Sequence, residues 1–263
     1  TFCGDRGAAA VGVPTELPLA QQLQKSKAYL VRKFRAEKFL AYFQAYSNTY
    51  AAAGELRLLY ETALADKDMV GLIIGTRPDC LPDAVLDLLA ELNQRTYLWL
   101  ELGMQSMHDQ TLQIINRGHD HACFVEAVNR SKARGLRVCA HLILGLPGES
   151  RQQMLASVVE LNRLGVDGVK LHHLHVLKGS QLEQEYRRGD LSLMTRDEYV
   201  RLVVDALELL DPKIMIHRLM GDGRSELVAP DWSRRKLEVL NQIDAELQKR
   251  NSRQGSRLSE NHL

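Results

Sequence analysis

The sequence predicts an α/β fold built on a parallel sheet. Short apolar runs alternate with stretches of helical periodicity, and the runs start about 25 to 40 residues apart, which leaves room for a right-handed crossover helix between parallel strands. The segment Arg137 to Ser150, RVCAHLILGLPGES, adds a continuous apolar run that ends in a turn rich in glycine. Such a run is typical of a strand covered on both faces. We therefore expect a buried strand that leads into a binding turn.

The expected elements follow one another in a regular order. After a loop at 3–18 that is rich in Gly, Ala and Pro, helical periodicity predicts helices at 19–34, 54–67, 82–93, 108–116, 121–134, 151–164, 195–210 and 230–250. Apolar runs predict strands at 38–46, 70–75, 97–103, 137–145 and 168–176, with a further strand at 213–218. Residues 251–263 contain few apolar side chains, so this tail is expected to be disordered.

Composition and charge exclude several classes of protein. The hydrophobic fraction of 45% and the charged fraction of 25% are ordinary for a globular chain, and the net charge of +1 gives no electrostatic support to nucleic acid as a partner. No run approaches the roughly 18 consecutive apolar residues of a membrane span. No signal segment opens the chain, which favours the cytoplasm. The cysteines are scattered, so a disulfide framework is not expected.

Polar residues collect at the carboxyl ends of the expected strands, where α/β proteins bind ligands. In strand order these residues are Gln44 and Tyr46; Arg77 and Asp79; Glu101 and Gln105; His141; and His172, His173 and His175. This pattern predicts a ligand site at that edge of the sheet.

Several of these residues also have an ordinary structural interpretation. Arg77 and Asp79 could pair with each other or cap the next helix. Glu101 stands in an apolar strand, and a buried carboxylate needs a partner. Because side chains alternate along a strand, His172 should face away from His173 and His175, so a site with three histidine ligands is not expected.

Two common nucleotide motifs are absent from the sequence. No Gly-Lys-Ser/Thr follows the GLPGE turn, which excludes a Walker loop, and no G-x-G-x-x-G follows an expected strand. The motifs that do occur in order are YFQAYS, GTRPD, ELGMQS, INRGHD, HLILGLPGE and GVKLHHLHVLKGS. Together they resemble the radical S-adenosylmethionine (SAM) enzymes, and within them the YhcC-like branch related to the Elongator catalytic subunit and oxygen-independent coproporphyrinogen oxidase. The resemblance runs from Thr1 to about Arg218.

The resemblance implies a partial (β/α)6 radical SAM barrel that lacks its first strand, with a C-terminal α-rich extension. The core would span 1–218, the helical extension 219–250 and the tail 251–263. Thr1-Phe2-Cys3 matches the end of the family's C-x-x-C spacing, so Cys3 is expected to be the third ligand of a 4Fe-4S cluster, with two further cysteines before Thr1. The implied activity is reductive cleavage of SAM to a 5′-deoxyadenosyl radical that attacks an unknown substrate, with electrons from a reducing donor.

The same resemblance implies roles for individual residues. Gln44, Ala45 and Tyr46 match the segment whose backbone receives the methionine amino group, and Gln105 and Arg117 match contacts to the ribose and carboxylate of SAM. Residues 144–147, including Leu146, would pack against the adenine ring of SAM. Departures occur at His141, where the coproporphyrinogen enzyme carries aspartate, and at Gly75, where it carries glutamate. The residues expected to bind SAM are thus Gln44, Tyr46, Arg77, Glu101, Gln105, Arg117, His141 and Leu146, with His172 and His175 on the substrate side.

Two other functions stay open at this stage. The scaffold could serve as a non-catalytic binding or assembly module. It could also be a metal-dependent barrel hydrolase that uses Glu101, His141, His172 and His173. Kinship with the Elongator subunit suggests RNA as a substrate, although the near-neutral charge does not support a broad nucleic-acid surface.

Overall fold

A computed structural model describes residues 17–44, 46–222 and 226–258, and it confirms the expected alternation of strands and helices. Within these residues the strands are β1 Phe39–Phe43, β2 Met69–Thr76, β3 Tyr97–Gln105, β4 Arg137–Leu144, β5 Gly168–His173, β6 Val176–Leu177, β7 Met215–Arg218 and β8 Leu227–Ala229. The helices are α1 Leu19–Phe34, α2 Ala53–Leu64, α3 Asp83–Arg95, α4 Asp109–Ile114, α5 His121–Ala133, α6 Arg151–Leu164, α7 Gln181–Arg188, α8 Arg196–Leu209 and α9 Lys236–Lys249.

The principal sheet confirms the parallel α/β prediction. Its strand order is β1-β2-β3-β4-β5-β7, and β1 with β2, β2 with β3, β4 with β5, and β5 with β7 all pair in parallel. The fifth strand is shorter than expected, because it ends at His173 instead of continuing to Val176. Val176 pairs instead with Ala229 in a separate antiparallel ribbon formed by β6 and β8. The sequence did not predict β8 or α7.

The described chain forms two compact units. One comprises the described residues up to Gly103 together with Glu126–Val138, and the other comprises Met104–Val125 with the described residues from Cys139 onward. In the first unit, fully buried side chains of α2, β2, α3 and β3 form the core; they include Tyr60, Leu72, Ile74, Leu86 and Leu98.

The second unit contains its own apolar cluster around the end of β4. Leu112, Ile115, Ile143, Leu146 and Leu174 belong to it, with Val176 and Ala229 from the antiparallel ribbon. Helix α6 begins directly after the GLPGE turn, and its first turn is closed by a capping box in which the Ser150 and Gln153 side chains bond to each other's backbone amides. This cap fixes where the turn ends.

Residues 251–258, expected to be part of a disordered tail, form turns that hydrogen bond to the end of α8 and to the segment that follows it. The Ser252 hydroxyl donates to Glu208, the Gln254 amide donates to the carbonyls of Asp211 and Ile214, and the Gly255 amide donates to Leu207. Residues 259–263 lie outside the described residues. Among the described helices, none is long and apolar enough to cross a membrane.

Candidate functional site

The carboxyl ends of β1 and β2 are fastened together by side chains from the loop after β1. Asn48 Nδ2 donates to the Phe43 carbonyl at 3.2 Å and to the Gly75 carbonyl at 2.9 Å. The Thr49 hydroxyl lies 2.6 Å from the Thr76 hydroxyl and donates to the Cys80 carbonyl at 2.5 Å. Asn48 and Thr49 are therefore held against the end of β2.

Glu101 has the partner that its burial demands. Its side chain is 1% exposed, and Oε2 accepts a hydrogen bond of 2.6 Å from the Tyr42 hydroxyl. A charge-assisted bond of this kind stabilises a buried carboxylate. The expectation that Glu101 would need a partner is confirmed, and the bond joins the side chain of a β1 residue to one on β3.

At the end of β2, Arg77 pairs with Asp79, which is one of the two ordinary interpretations. The guanidinium donates from Nε to Oδ1 at 2.8 Å and from Nη2 to Oδ2 at 2.6 Å. The neighbouring departure from the family pattern, Gly75, also has a physical reason. A Cβ at this position would lie 3.3 Å from the Phe43 carbonyl oxygen, so a side chain would press on β1.

Backbone strain marks two of the expected SAM residues. Among the described residues, the non-glycine positions with positive φ are Arg35, Tyr46, Gln105, Asn116 and Asn251. Arg35, Asn116 and Asn251 follow the ends of helices, where a left-handed residue is common. The two that follow or end a strand are Tyr46, with φ of 62°, and Gln105, with φ of 69°. Strain of this kind persists where the surrounding structure imposes it, and it concentrates at binding sites.

In the second unit, the turn after β4 is built on two left-handed glycines. Gly145 has φ of 85° and Gly148 has φ of 80°. The left-handed backbone at Gly145 disfavours any side chain, and a Cβ there would lie 2.7 Å from Met194 Cε, so the end of the Met194 side chain would have to shift. The Leu146 side chain is 2% exposed and belongs to the apolar cluster, so any contact from Leu146 to a ligand would have to come from its backbone.

Glu149 and Ser106 fix the position of this turn. The Ser106 hydroxyl donates to Glu149 Oε1, and the His108 backbone amide donates to Ser106 Oγ at 2.9 Å. Burial raises the pKa of Glu149, against the opposing effect of its hydrogen bonds from Ser106 and Thr111. The sequence interpretation assigned no role to either residue. A carboxylate that follows a glycine turn is a weak signal, and its partner lies 43 positions earlier.

A cleft of about 320 Å³ opens beside the turn, between Pro147–Gly148 and the start of α4. This volume lies at the lower end of the range for small-molecule sites. The nearest atom to a Cβ built on Gly148 is Ile114 Cδ1 at 4.0 Å, so glycine leaves the wall of the cleft open. His108, whose Nε2 lies 3.0 Å from the Gln153 carbonyl, supplies a fixed polar group to the same wall.

The remaining expected residues of this unit lie in several environments. Gln105 is 9% exposed at the end of β3. Arg117 follows α4, and its Nε donates to His119 Nε2 at 3.0 Å. His141 is half-buried in β4 in register with Lys170 of β5. Cys3 lies outside the described residues.

The three histidines at the end of β5 lie together, contrary to the expectation from strand alternation. His173 Nε2 lies 2.8 Å from His175 Nε2, and the His172 ring centroid lies 4.5 Å from that of His175. Alternation fails because β5 ends at His173 and the chain then leaves the sheet toward β6. The metal-dependent hydrolase interpretation grouped Glu101 and His141 with His172 and His173. In the structure, the third histidine beside His172 and His173 is His175.

Two sequence family models match the chain. The Radical SAM superfamily model matches residues 1–161, and the Radical_SAM C-terminal domain model matches residues 166–249. The chain therefore belongs to the radical SAM superfamily, whose members bind a 4Fe-4S cluster and SAM. The two models divide the chain near 161–166, and the domain boundary expected at residue 218 stays a prediction.

Within the superfamily, the chain is similar to YtqA of Bacillus subtilis, with 46% identity over 256 residues that cover 97% of this chain and 80% of YtqA. It is also 42% identical to YhcC of Escherichia coli over 228 residues, which cover 86% of this chain and 73% of YhcC. The YhcC-like resemblance is thus confirmed.

The fold is similar to that of the archaeal Elp3 of Methanocaldococcus infernus. The TM-score is 0.76 at 19% identity, and the match covers 90% of this chain and 60% of that one. The prediction of a partial TIM-barrel-like radical SAM fold with a C-terminal helical part is confirmed. Within the second unit, Gln105 has strained backbone and the Gly148 position leaves an open cleft wall, two features that fit a small-molecule cofactor.

Proposed function

We propose that the chain is the SAM-binding core of an enzyme that generates a 5′-deoxyadenosyl radical. The observation that carries the proposal is the backbone strain at Tyr46 and Gln105. Both were assigned to SAM from motif resemblance alone, and both have the strain that is typical of functional positions. When bound, the cluster and SAM supply the one-electron cleavage chemistry; the protein supplies placement and exclusion of water.

The residues around the strand ends would each hold part of the cofactor. The left-handed backbone at Tyr46, next to Gln44, would present a peptide group to the methionine amino group. The Gln105 side chain would contact the ribose, and the Arg117 guanidinium the carboxylate. The turn from Gly145 to Gly148 would support the adenine with its backbone, and Glu149 would keep that turn in place through Ser106.

Other expected residues would act around this cofactor. Glu101, held by Tyr42, would place a negative charge in the middle of β3, four residues before Gln105. His172 and His175 would face the substrate. Cys3 is proposed as a cluster ligand, and it lies inside the range that the superfamily model matches.

Anaerobic reconstitution of the full-length protein with iron and sulfide tests this function. With dithionite as the reducing donor, we expect a brown protein that converts SAM to 5′-deoxyadenosine and methionine. Cys3→Ala should lose the cluster, because every thiolate ligand is needed. Cys123→Ala, at a half-buried thiol of α5, should keep both colour and product. A colourless wild-type protein that forms no 5′-deoxyadenosine would contradict the proposal.

A further inference from the structure

The histidines 172, 173 and 175 offer three ring nitrogens that all lie within 4.8 Å of one another. His173 is 1% exposed and His175 is 9% exposed, so most of the cluster is shielded from water. In a tetrahedral zinc site with Zn–N bonds of about 2.0–2.1 Å, neighbouring ligand nitrogens are about 3.3 Å apart. The 4.8 Å limit is wider than that spacing, so the rings would have to rotate to close on one ion.

The backbone explains why the three rings meet. Leu174 donates its amide to the Leu144 carbonyl, and Val176 then pairs with Ala229 in the antiparallel ribbon. The change of sheet between these residues turns His175 back toward His172 and His173. The Trp232 ring stacks on His173 with centroids 4.3 Å apart, so the His173 ring is held in place from its other side.

The contacts of two rings match those of metal-bound histidines, which use one ring nitrogen for the metal and the other for a hydrogen bond. His172 Nδ1 lies 2.5 Å from the His173 carbonyl, and its Nε2 faces Gly221, where an added Cβ would lie 1.9 Å from it. His173 Nε2 lies 2.5 Å from Ser233 Oγ and 2.8 Å from His175 Nε2, and its Nδ1 is buried without a hydrogen-bond partner among the described residues. A buried polar atom without a partner is costly, and a metal ion would satisfy it.

We propose that His172, His173 and His175 bind one divalent transition-metal ion of the zinc type, with the fourth position taken by water. Imidazole nitrogen is a preferred ligand of such ions. The proposal does not depend on the cluster or on SAM chemistry, so the two can fail separately.

Metal titration of the untagged chain, stripped with a chelator and kept free of iron, tests this site. We expect Zn²⁺ to bind at one ion per chain, and Co²⁺ to give the visible absorption bands of a tetrahedral site. His172→Gln and His175→Gln should each weaken Zn²⁺ binding at least about tenfold, and Ser233→Ala should weaken it about 10- to 100-fold, because it supports a ligand instead of binding the metal. His121→Gln is the matched control, since His121 lies 3.0 Å from Glu160 and outside the cluster, and it should leave the affinity unchanged.

X-ray absorption spectroscopy at the zinc edge identifies the ligands of zinc bound to the wild-type protein. This test therefore does not require that the histidine variants fold. Scattering from three imidazoles would support the site. A wild-type chain that binds no stoichiometric zinc, zinc with fewer than two imidazole ligands, or an equal loss of affinity in His121→Gln would overturn the proposal.

Discussion

The Ser106 hydroxyl donates a hydrogen bond to Glu149 Oε1 and so ties the residue after β3 to the turn after β4. Ser106 directly follows β3, Glu149 belongs to the turn after β4, and burial raises the pKa of Glu149. Because of this hydrogen bond, the protonation of the Glu149 carboxyl group can affect the geometry of the whole turn after β4.

Glu149→Gln should remove one source of pH dependence from stability. Because the folded pKa of Glu149 is raised above its ordinary value of 4.5, the folded state holds the proton more tightly, and the free energy of unfolding falls as pH rises through the folded pKa. Glutamine does not titrate. Urea unfolding at pH 5 and pH 8 should therefore show the wild type losing stability relative to Glu149→Gln at the higher pH.

The control for this experiment is Glu183→Gln, because the backbone amide of Gly179 and the Arg187 side chain lower the pKa of Glu183. Its contribution is complete above pH 4.5, so its difference from wild type should be the same at pH 5 and pH 8. A Glu149→Gln difference that grows in favour of the wild type with pH would contradict the assigned role of burial.

Gly145→Ala should destabilise the protein through two separate effects. The left-handed backbone costs an alanine about 1–2 kcal/mol, and the added Cβ would also meet Met194. Gly165→Ala separates them, because Gly165 has φ of 58° but no atom within 4 Å of its Cβ position. Denaturant unfolding should show a larger loss for Gly145→Ala than for Gly165→Ala.

A double-mutant cycle with Met194→Ala completes this test. If the clash is real, Met194→Ala should cost less in the Gly145→Ala background than in wild type. Additive losses would show that only the backbone conformation matters at Gly145.

Tyr42→Phe should remove a hydrogen-bond donor from the buried Glu101 carboxylate. We expect a loss of about 1–3 kcal/mol in the free energy of unfolding, since removing one partner exposes the desolvation cost of the other. Tyr50→Phe is the matched control, because Tyr50 is 83% exposed, and it should be neutral. Recovery of stability in Tyr42→Phe when Glu101 is also changed to Gln would confirm that the carboxylate is the cause.

Gln105→Ala should weaken SAM binding by at least about tenfold, provided that the side chain contacts the cofactor as proposed, because a buried polar contact to a ligand is worth about 1–3 kcal/mol. Equilibrium binding of SAM to the reconstituted protein measures this. Gln113→Ala changes an exposed glutamine of α4 that does not line the cleft beside Gly148, and it should not alter the affinity. Equal affinities for wild type and Gln105→Ala would remove Gln105 from the site.

Much of the fold could be predicted because periodicity is a local property. The helices 19–34 and 151–164 were predicted with the bounds that the structure has, and β4 was predicted to within one residue. The break after His173 was not predictable, because an argument from side-chain alternation assumes that a strand stays in one sheet. Val176 instead pairs with Ala229, 53 positions later in the chain.

Some residues of the candidate site could likewise be predicted from the sequence, and others could not. Residues such as Tyr46 and Gln105 were found because they stand at strand ends, and Glu101 because a carboxylate in an apolar strand is unusual. Ser106 and Ser233 were missed because small hydroxyl side chains have no signal in one sequence. Their importance depends on contacts with Glu149 and His173, which only the tertiary structure brings about.

The turns at 251–258 have a practical consequence for anyone who shortens or fuses this chain. A truncation after Arg250 would remove the donors that reach the Glu208 side chain, the Asp211 carbonyl and the Leu207 and Glu208 carbonyls near the end of α8. Reporter proteins and affinity tags are therefore better joined after residue 258 than at the visible end of α9.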